Sequence, residues 1–257
     1  MRNWVPELNK KDLKFISETL SLPEHYVAKE ENLEELLADE SLFRRVMNED
    51  ETFVRISPFL FFKILIKRAH RELRWESYTL EKHGMYSVYV FDTDVLSGIL
   101  DRKEIRDYLA VLLASFSKVK SFVLYLIVKK KVYKFKQSGL DVEALEEELN
   151  FLEEEKRFPL LRRIADTILF LCGIFPDYVR KMAESQSKIK KKTVSELIKE
   201  FEEKGALYYH LAAMHEDAKK VGLSDVLYTF GQNFSLLKKP LNLIEKKYLA
   251  FRKEKIF

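Results

Sequence analysis

The chain has 257 residues, 47% hydrophobic and 33% charged, and only 7 glycines. Glycine averages about 7% of residues and lets backbone turn tightly or approach a phosphate; its scarcity excludes a Walker loop, a dinucleotide fingerprint and a nucleophile elbow. Lys+Arg 45 against Asp+Glu 41 leaves +4, too small an excess to argue for nucleic acid by itself.

This length suits one large domain or two small ones. Cys172 is the only cysteine, so a disulfide within the chain is excluded. The opening MRNWVPELNKKD shows no apolar core of a secretory signal. The longest clean apolar run, FVLYLIV at 122–128, falls far short of the roughly 20 residues that span a bilayer. A cytoplasmic protein without membrane insertion is expected. Glutamine is scarce beside abundant lysine and glutamate, a thermophile-like composition.

In chain order, Asn9 is placed to cap a helix from Lys10 to about Leu20, which Pro23 stops. Short helices are expected over 32–38 and 41–47. Ser57 followed by Pro58 predicts a helix start, continuing to about Trp75. Phe59, Phe62, Leu65 and Ile66 keep helical spacing, while Phe61 and Ile64 widen the stripe, so its first half is expected to be buried on most sides. From Tyr78 to Val90 the period changes to two, around His83–Gly84, which predicts a β-hairpin. Asp101 and Glu104 make a capping-box pattern ahead of EIRDYLAVLLASF. Residues 118–136 read as a second hairpin turning at Lys129–Lys131, with a buried helix as the alternative, because short apolar runs cannot be told apart by period.

Gly139 marks the expected boundary between two subdomains, 1–138 and 139–257. Asp141 is placed to cap an acidic helix. Pro159 starts a helix whose residues Ile168 to Cys172 are apolar on every side, the pattern of a central helix. Gly173 is expected to stop it and Asp177 to cap the next. Thr193 and Glu196 form another capping box, opening a helix expected to run through Gly205 towards Lys220. Gly222, with Ser224 or Asp225 as cap, precedes the next helix, and Pro240 opens or kinks the last. The expected fold class is therefore mainly α: a multi-helix globular bundle with one or two small β-hairpins in the N-terminal half.

LLRRIADTILFLCGIFPDYVRK (160–181), GALYYHLAA (205–213) and LLKKPLNLIEKKYL (236–249) together resemble a family of conserved, uncharacterised bacterial proteins of unknown function. SPFLFFKILIKRA (57–69) and VYVFD (88–92) resemble its N-terminal half. The resemblance implies a helical cytoplasmic protein and carries over no activity, cofactor or catalytic residue.

The chemistry-bearing residues form few patterns. The histidines are His25, His70, His83, His210 and His215, and no Glu-x-x-His occurs; a di-iron bundle needs that motif on two helices. With one cysteine, a structural zinc site is not expected. Asp177 and Glu202-x-Lys204 imitate nuclease elements, but positions two apart on a helix point away from each other. Cys172 sits in the most apolar stretch, where a thiol is inert. Arg162 and Asp166 read as an intrahelical pair. Neither a metal nor another cofactor is expected, and an enzyme is the less favoured reading.

Two lysine runs remain: Lys129, Lys130 and Lys131 with Lys134, and Lys188 with Lys190, Lys191 and Lys192. Interleaved with Tyr133 and Phe135, the first has the combination that holds phosphates and stacks bases. Tyr208 and Tyr209, beside Leu207 and Leu211, form an aromatic patch suited to a protein interface. The expected function is a non-catalytic interaction or adaptor protein that self-associates or binds an unknown protein partner. Phosphate-backbone or nucleic-acid binding through the lysines is the alternative.

Overall fold

The computed structural model describes residues 4–48, 55–75, 79–83, 86–90, 92–117, 122–128, 131–137, 140–250 and 252–257, with backbone alone over 79–90 and 122–137 and at 254 and 255. The class is mainly α. The helices are α1 (Lys10–Leu20), α2 (Glu24–Val27), α3 (Glu30–Leu36), α4 (Glu40–Asn48), α5 (Pro58–Trp75), α6 (Thr93–Asp101) and α7 (Lys103–Phe116). They continue with α8 (Val142–Phe151), α9 (Phe158–Ile174), α10 (Pro176–Lys190), α11 (Val194–Met214), α12 (Glu216–Lys220), α13 (Ser224–Gln232) and α14 (Phe234–Ile244). A π turn, Glu245–Leu249, and α15 (Lys253–Ile256) close the chain. Thr79–His83 lies antiparallel to Tyr86–Val90, and Phe122–Val128 to Lys131–Gln137. The fold class rests on the helices.

The chain divides into two units. Unit 1 is Met1–Ser117 with Lys239–Lys255, and unit 2 is Lys118–Lys238 with Ile256–Phe257. The division differs from the one expected near Gly139, a residue outside those described. Segment 239–255 joins unit 1 through partners distant in sequence. Lys239 bonds Asp92. Tyr248 donates to Glu72 at 2.6 Å and meets the Phe43 ring edge-on at 5.1 Å. Such pairings leave no local mark in sequence.

In unit 1, Asn9 accepts from the Asp12 N–H while the Asp12 carboxylate accepts from the Asn9 N–H, a complete capping box on α1. Asp12 is fully buried because it is satisfied twice over: its carboxylate also accepts from the Ser57 N–H at 2.7 Å and the Ser57 hydroxyl at 2.8 Å. Ser57 in turn accepts from the Leu60 N–H, capping α5. One buried carboxylate thus joins two helix starts. The first half of α5 is buried on most sides, as its widened stripe predicts, and α5 packs on α7.

Charge holds α3 to this pair. Glu34 accepts from Lys67 of α5 at 2.8 Å and from Arg106 of α7. Burial pushes the Glu34 carboxyl up, but the hydrogen bonds and charges of Lys67 and Arg106 outweigh it, lowering the pKa from 4.5 to about 2. Arg106 is itself buried and donates to the carbonyls of Leu100 and Asp101, satisfying the end of α6. That use corrects the capping box expected at Asp101. Asp101 is the last residue of α6, and α7 begins after Arg102 without a side-chain cap.

In unit 2, α9 is buried along nearly its whole length. It does not stop at Gly173. Pro176 disfavours helical geometry in the residue before it, so the break falls at Phe175 (φ −124°, ψ 51°). Asp177 then lies inside the first turn of α10, where its charge suits the helix dipole, rather than at the cap. Thr193 and Glu196 form their expected capping box on α11. That helix ends at Met214 instead of running to Lys220. His215 leaves helical geometry, and its Nδ1 accepts from the Asp217 N–H to cap α12. Gly222 takes φ +72°, a left-handed conformation that favours glycine. The cap expected at Ser224 or Asp225 is instead Leu223, without a side-chain bond. Pro240 lies inside α14.

Helices α9, α11 and α14 meet at Gly205. A Cβ there would lie 2.5 Å from the Phe234 ring and 2.9 Å from Ile168 Cγ2.

Two outcomes are expected. Leu169→Ala, at a fully buried position, should lower stability by about 2–5 kcal/mol, measured by denaturant unfolding. Glu34→Gln should cost about 1–3 kcal/mol, because it leaves partly buried cations unpaired. The depressed carboxyl contributes stability fully above its unfolded pKa of 4.5, lost as pH falls towards about 2. Thermal midpoints of the native protein should therefore drop across that acid window more steeply than those of Glu34→Gln.

Candidate functional site

Helix α11 has an inner and an outer face. Leu197, Gly205, Tyr209, Ala212 and Ala213 are buried inside. The Tyr209 hydroxyl donates to Asp166 Oδ1 of α9 at 2.8 Å, and its ring packs 5.3 Å from that of Phe230. Arg162 stands 3.8 Å from the other Asp166 oxygen. A buried carboxylate needs such partners. Tyr209 therefore belongs to the core of unit 2 and has no surface to offer a partner, which corrects its expected role. Half-buried Tyr208 donates to Glu146 of α8 at 2.8 Å, and Lys204 holds the second Glu146 oxygen at 3.0 Å. Burial, then the Glu146 carboxylate, pushes the Tyr208 phenol up.

The outer face carries the neighbours of that tyrosine pair. Leu207, Leu211 and Met214 are exposed, Met214 to 66%. Their i, i+4, i+7 spacing aligns them in one stripe. Tyr228 of α13, also exposed, borders the stripe and meets the His210 ring edge-on at 5.4 Å. Along the other flank α8 runs parallel to α11: Glu146 is level with Lys204 and Tyr208, and the Glu154 carbonyl, just past α8, lies 2.9 Å from His215 Nε2. Half-exposed Phe151 is the last residue of α8. The stripe itself bears no charge. Two ion pairs stand near it, Lys199 with Glu203 at 3.7 Å and Lys204 with Glu146 at 3.0 Å. Leu207 and Leu211 were legible as part of a patch, and Met214 shares their helical spacing; Tyr228 was not, because it comes from another helix.

The structure gathers one lysine run. Lys188, Lys190, Lys191 and Lys192 cluster where α10 ends, with Lys191 left-handed at φ 51°. Lys190 bonds Gln186 at 3.0 Å and Lys192 bonds Glu200. Lys129 and Lys130 lie outside the described residues, and Lys131 and Lys134 stand on the backbone-described strand 131–137. The two runs fall at separate places in the sequence of unit 2.

The perturbed titratable groups are drawn away from neutrality. Burial, then the Arg106 charge, lowers His70 from 6.5 to about 4 despite Asp101 at 3.1 Å. Burial raises the Cys172 thiol. Glu72 is lowered against its burial by bonds from Tyr248, Lys247 and Arg68, while burial and Glu72 raise Tyr248. A general acid or base works best with a pKa near the operating pH, whereas His70 and Cys172 are held neutral and Glu72 is held as an ion that pairs neighbouring helices. Among the described residues no group of three His, Cys, Asp or Glu side chains could hold a metal, and no helix is long and apolar enough to cross a membrane.

No protein-family model matches the chain, and neither does any curated protein or solved structure.

Tyr209→Phe should cost about 1–3 kcal/mol by leaving the buried Asp166 short of its donor. Tyr208→Phe, at a half-exposed position, should cost less. Thermal denaturation of the two variants side by side tests the assignment.

Proposed function

We propose that the chain works by binding rather than by bond-making, as an interaction protein that self-associates through the outer face of α11. The observation that carries this reading is the stripe of Leu207, Leu211 and Met214, bordered by Tyr228. Contiguous exposed apolar surface is disfavoured in water and marks interaction sites. Methionine and aromatic side chains are among the types enriched at interface centres. A second copy is the occupant, because an uncharged stripe flanked by internal ion pairs meets its own image without repulsion across its centre.

A phosphate-backbone reading rests on the lysines of 188–192 and on the lysine-rich sequence 129–134. It has weaker support, since among the described side chains only the run at 188–192 stands on the surface.

Sedimentation equilibrium of the purified chain over a range of concentrations tests self-association. The native protein should populate a dimer, and the double variant Leu207→Gln/Leu211→Gln should weaken the dimer at least tenfold while leaving the thermal midpoint of dilute protein unchanged. A native protein that stays monomeric at the highest attainable concentration would overturn the proposal. So would a double variant that dimerises as well as the native chain.

A further inference from the structure

The end of α10 combines two properties that are rarely exposed together. Ile189 is 81% exposed, although burying such a side chain is worth about 1.5–3 kcal/mol. It is flanked on both sides by Lys188 and by Lys190, Lys191 and Lys192. Between 176 and 192 the chain carries six basic residues against two acidic ones, so the local excess equals that of the whole protein. Within the cluster Lys192 bonds Glu200 and also feels the charge of Glu196.

The apolar character extends up the helix. At about 100° per residue, Tyr178, Met182 and Ile189 fall within about 40° of one another. Tyr178 is 54% exposed and Met182 partly so. Val179 and Ala183, on a neighbouring face, are buried and anchor α10 to unit 2. The helix is therefore held by one face while an apolar edge and a lysine-rich tip stand in solvent.

Aliphatic side chains among lysines suit one kind of partner better than another. A nucleic-acid strand would use the lysines on its phosphates and aromatic rings on its bases. Isoleucine has no face on which a base stacks. An anionic bilayer uses both features, the ammonium groups on its headgroups and the aliphatic side chain at the acyl boundary. We propose that the α10 tip, Lys188 to Lys192 with Ile189 at its centre, docks on an anionic lipid surface, lying against the membrane without crossing it. This proposal is independent of the α11 stripe.

Co-sedimentation of the full chain with phospholipid vesicles tests it, using pure phosphatidylcholine and phosphatidylcholine containing phosphatidylserine, at low and physiological salt. Binding should require phosphatidylserine and weaken with salt. The variant Lys188→Gln/Lys190→Gln/Lys191→Gln should bind at least tenfold more weakly. Ile189→Gln keeps every charge and should bind about threefold more weakly or worse. Trp75→Gln removes a more exposed apolar side chain elsewhere, at 85% exposure, and should bind as the native protein does. No binding to phosphatidylserine vesicles would overturn the proposal, as would equal loss in Trp75→Gln and Ile189→Gln. Native binding by Ile189→Gln would overturn it too, by showing that the tip recognises negative charge alone; an oligonucleotide titration would then be expected to show the same salt-dependent affinity. Losing vesicle binding while the dimer persists, or the reverse, separates this proposal from the α11 reading.

Discussion

Unit 2 is organised around a helix that has no outside. Because α9 is buried along nearly its whole length, each polar group on it must find a partner in protein. Thr167 returns its hydroxyl to the Arg163 carbonyl, and Asp166 takes the Tyr209 hydroxyl. Burial lowers the Arg163 guanidinium, with Asp166 opposing that shift. These requirements fix which side of α11 faces inward, and hence which side is left out. The inner face approaches so closely at Gly205 that a methyl group would strike Phe234 and Ile168. The exposed stripe of Leu207, Leu211 and Met214 is the geometric remainder of that arrangement.

Unit 1 is ordered by charge as much as by its aromatic and aliphatic core. Asp12 and Glu34 do similar work from opposite degrees of burial. Asp12, fully buried, is satisfied by backbone and hydroxyl donors and joins two helix starts. Glu34, partly exposed, gathers the cations of α5 and α7. Glu40 and Glu72 repeat the pattern around Arg68, which also lies over the Phe43 ring at 4.7 Å. The carboxyls of Glu34, Glu40 and Glu72 are all held below their usual value despite burial. Their chemistry is that of fixed ions in a scaffold rather than of groups that trade protons near pH 7.

The two surfaces proposed here differ in kind. The α11 stripe is neutral and bounded by ion pairs within the chain, which suits a protein surface like itself. The α10 tip is strongly basic and sits at a helix end, which suits an extended anionic surface. Both depend on side chains left exposed by helices whose other faces are anchored. That anchoring keeps the exposed groups in register, since neither helix can rotate without unburying Tyr209 or Val179.

Much of this was readable from local sequence. Asn9, Thr193, Ser57 and Asp141 announced helix starts, and each makes its capping bond. Such bonds span three residues, so a short window contains all their parts. The all-round apolar run of α9 announced its burial for the same reason. The misread ends were local choices decided by a competing neighbour: Pro176 acting on Phe175, His215 capping α12, Arg106 closing α6. The division into units and the inward turn of Tyr209 could not be read in this way. They depend on pairs such as Asp92 with Lys239 and Asp166 with Tyr209, far apart in the chain. Helical periodicity says which residues share a face, but only packing among distant helices decides which face meets water. The sequence by itself therefore determined the helices and their caps, and the tertiary structure decided which surfaces the protein has to offer.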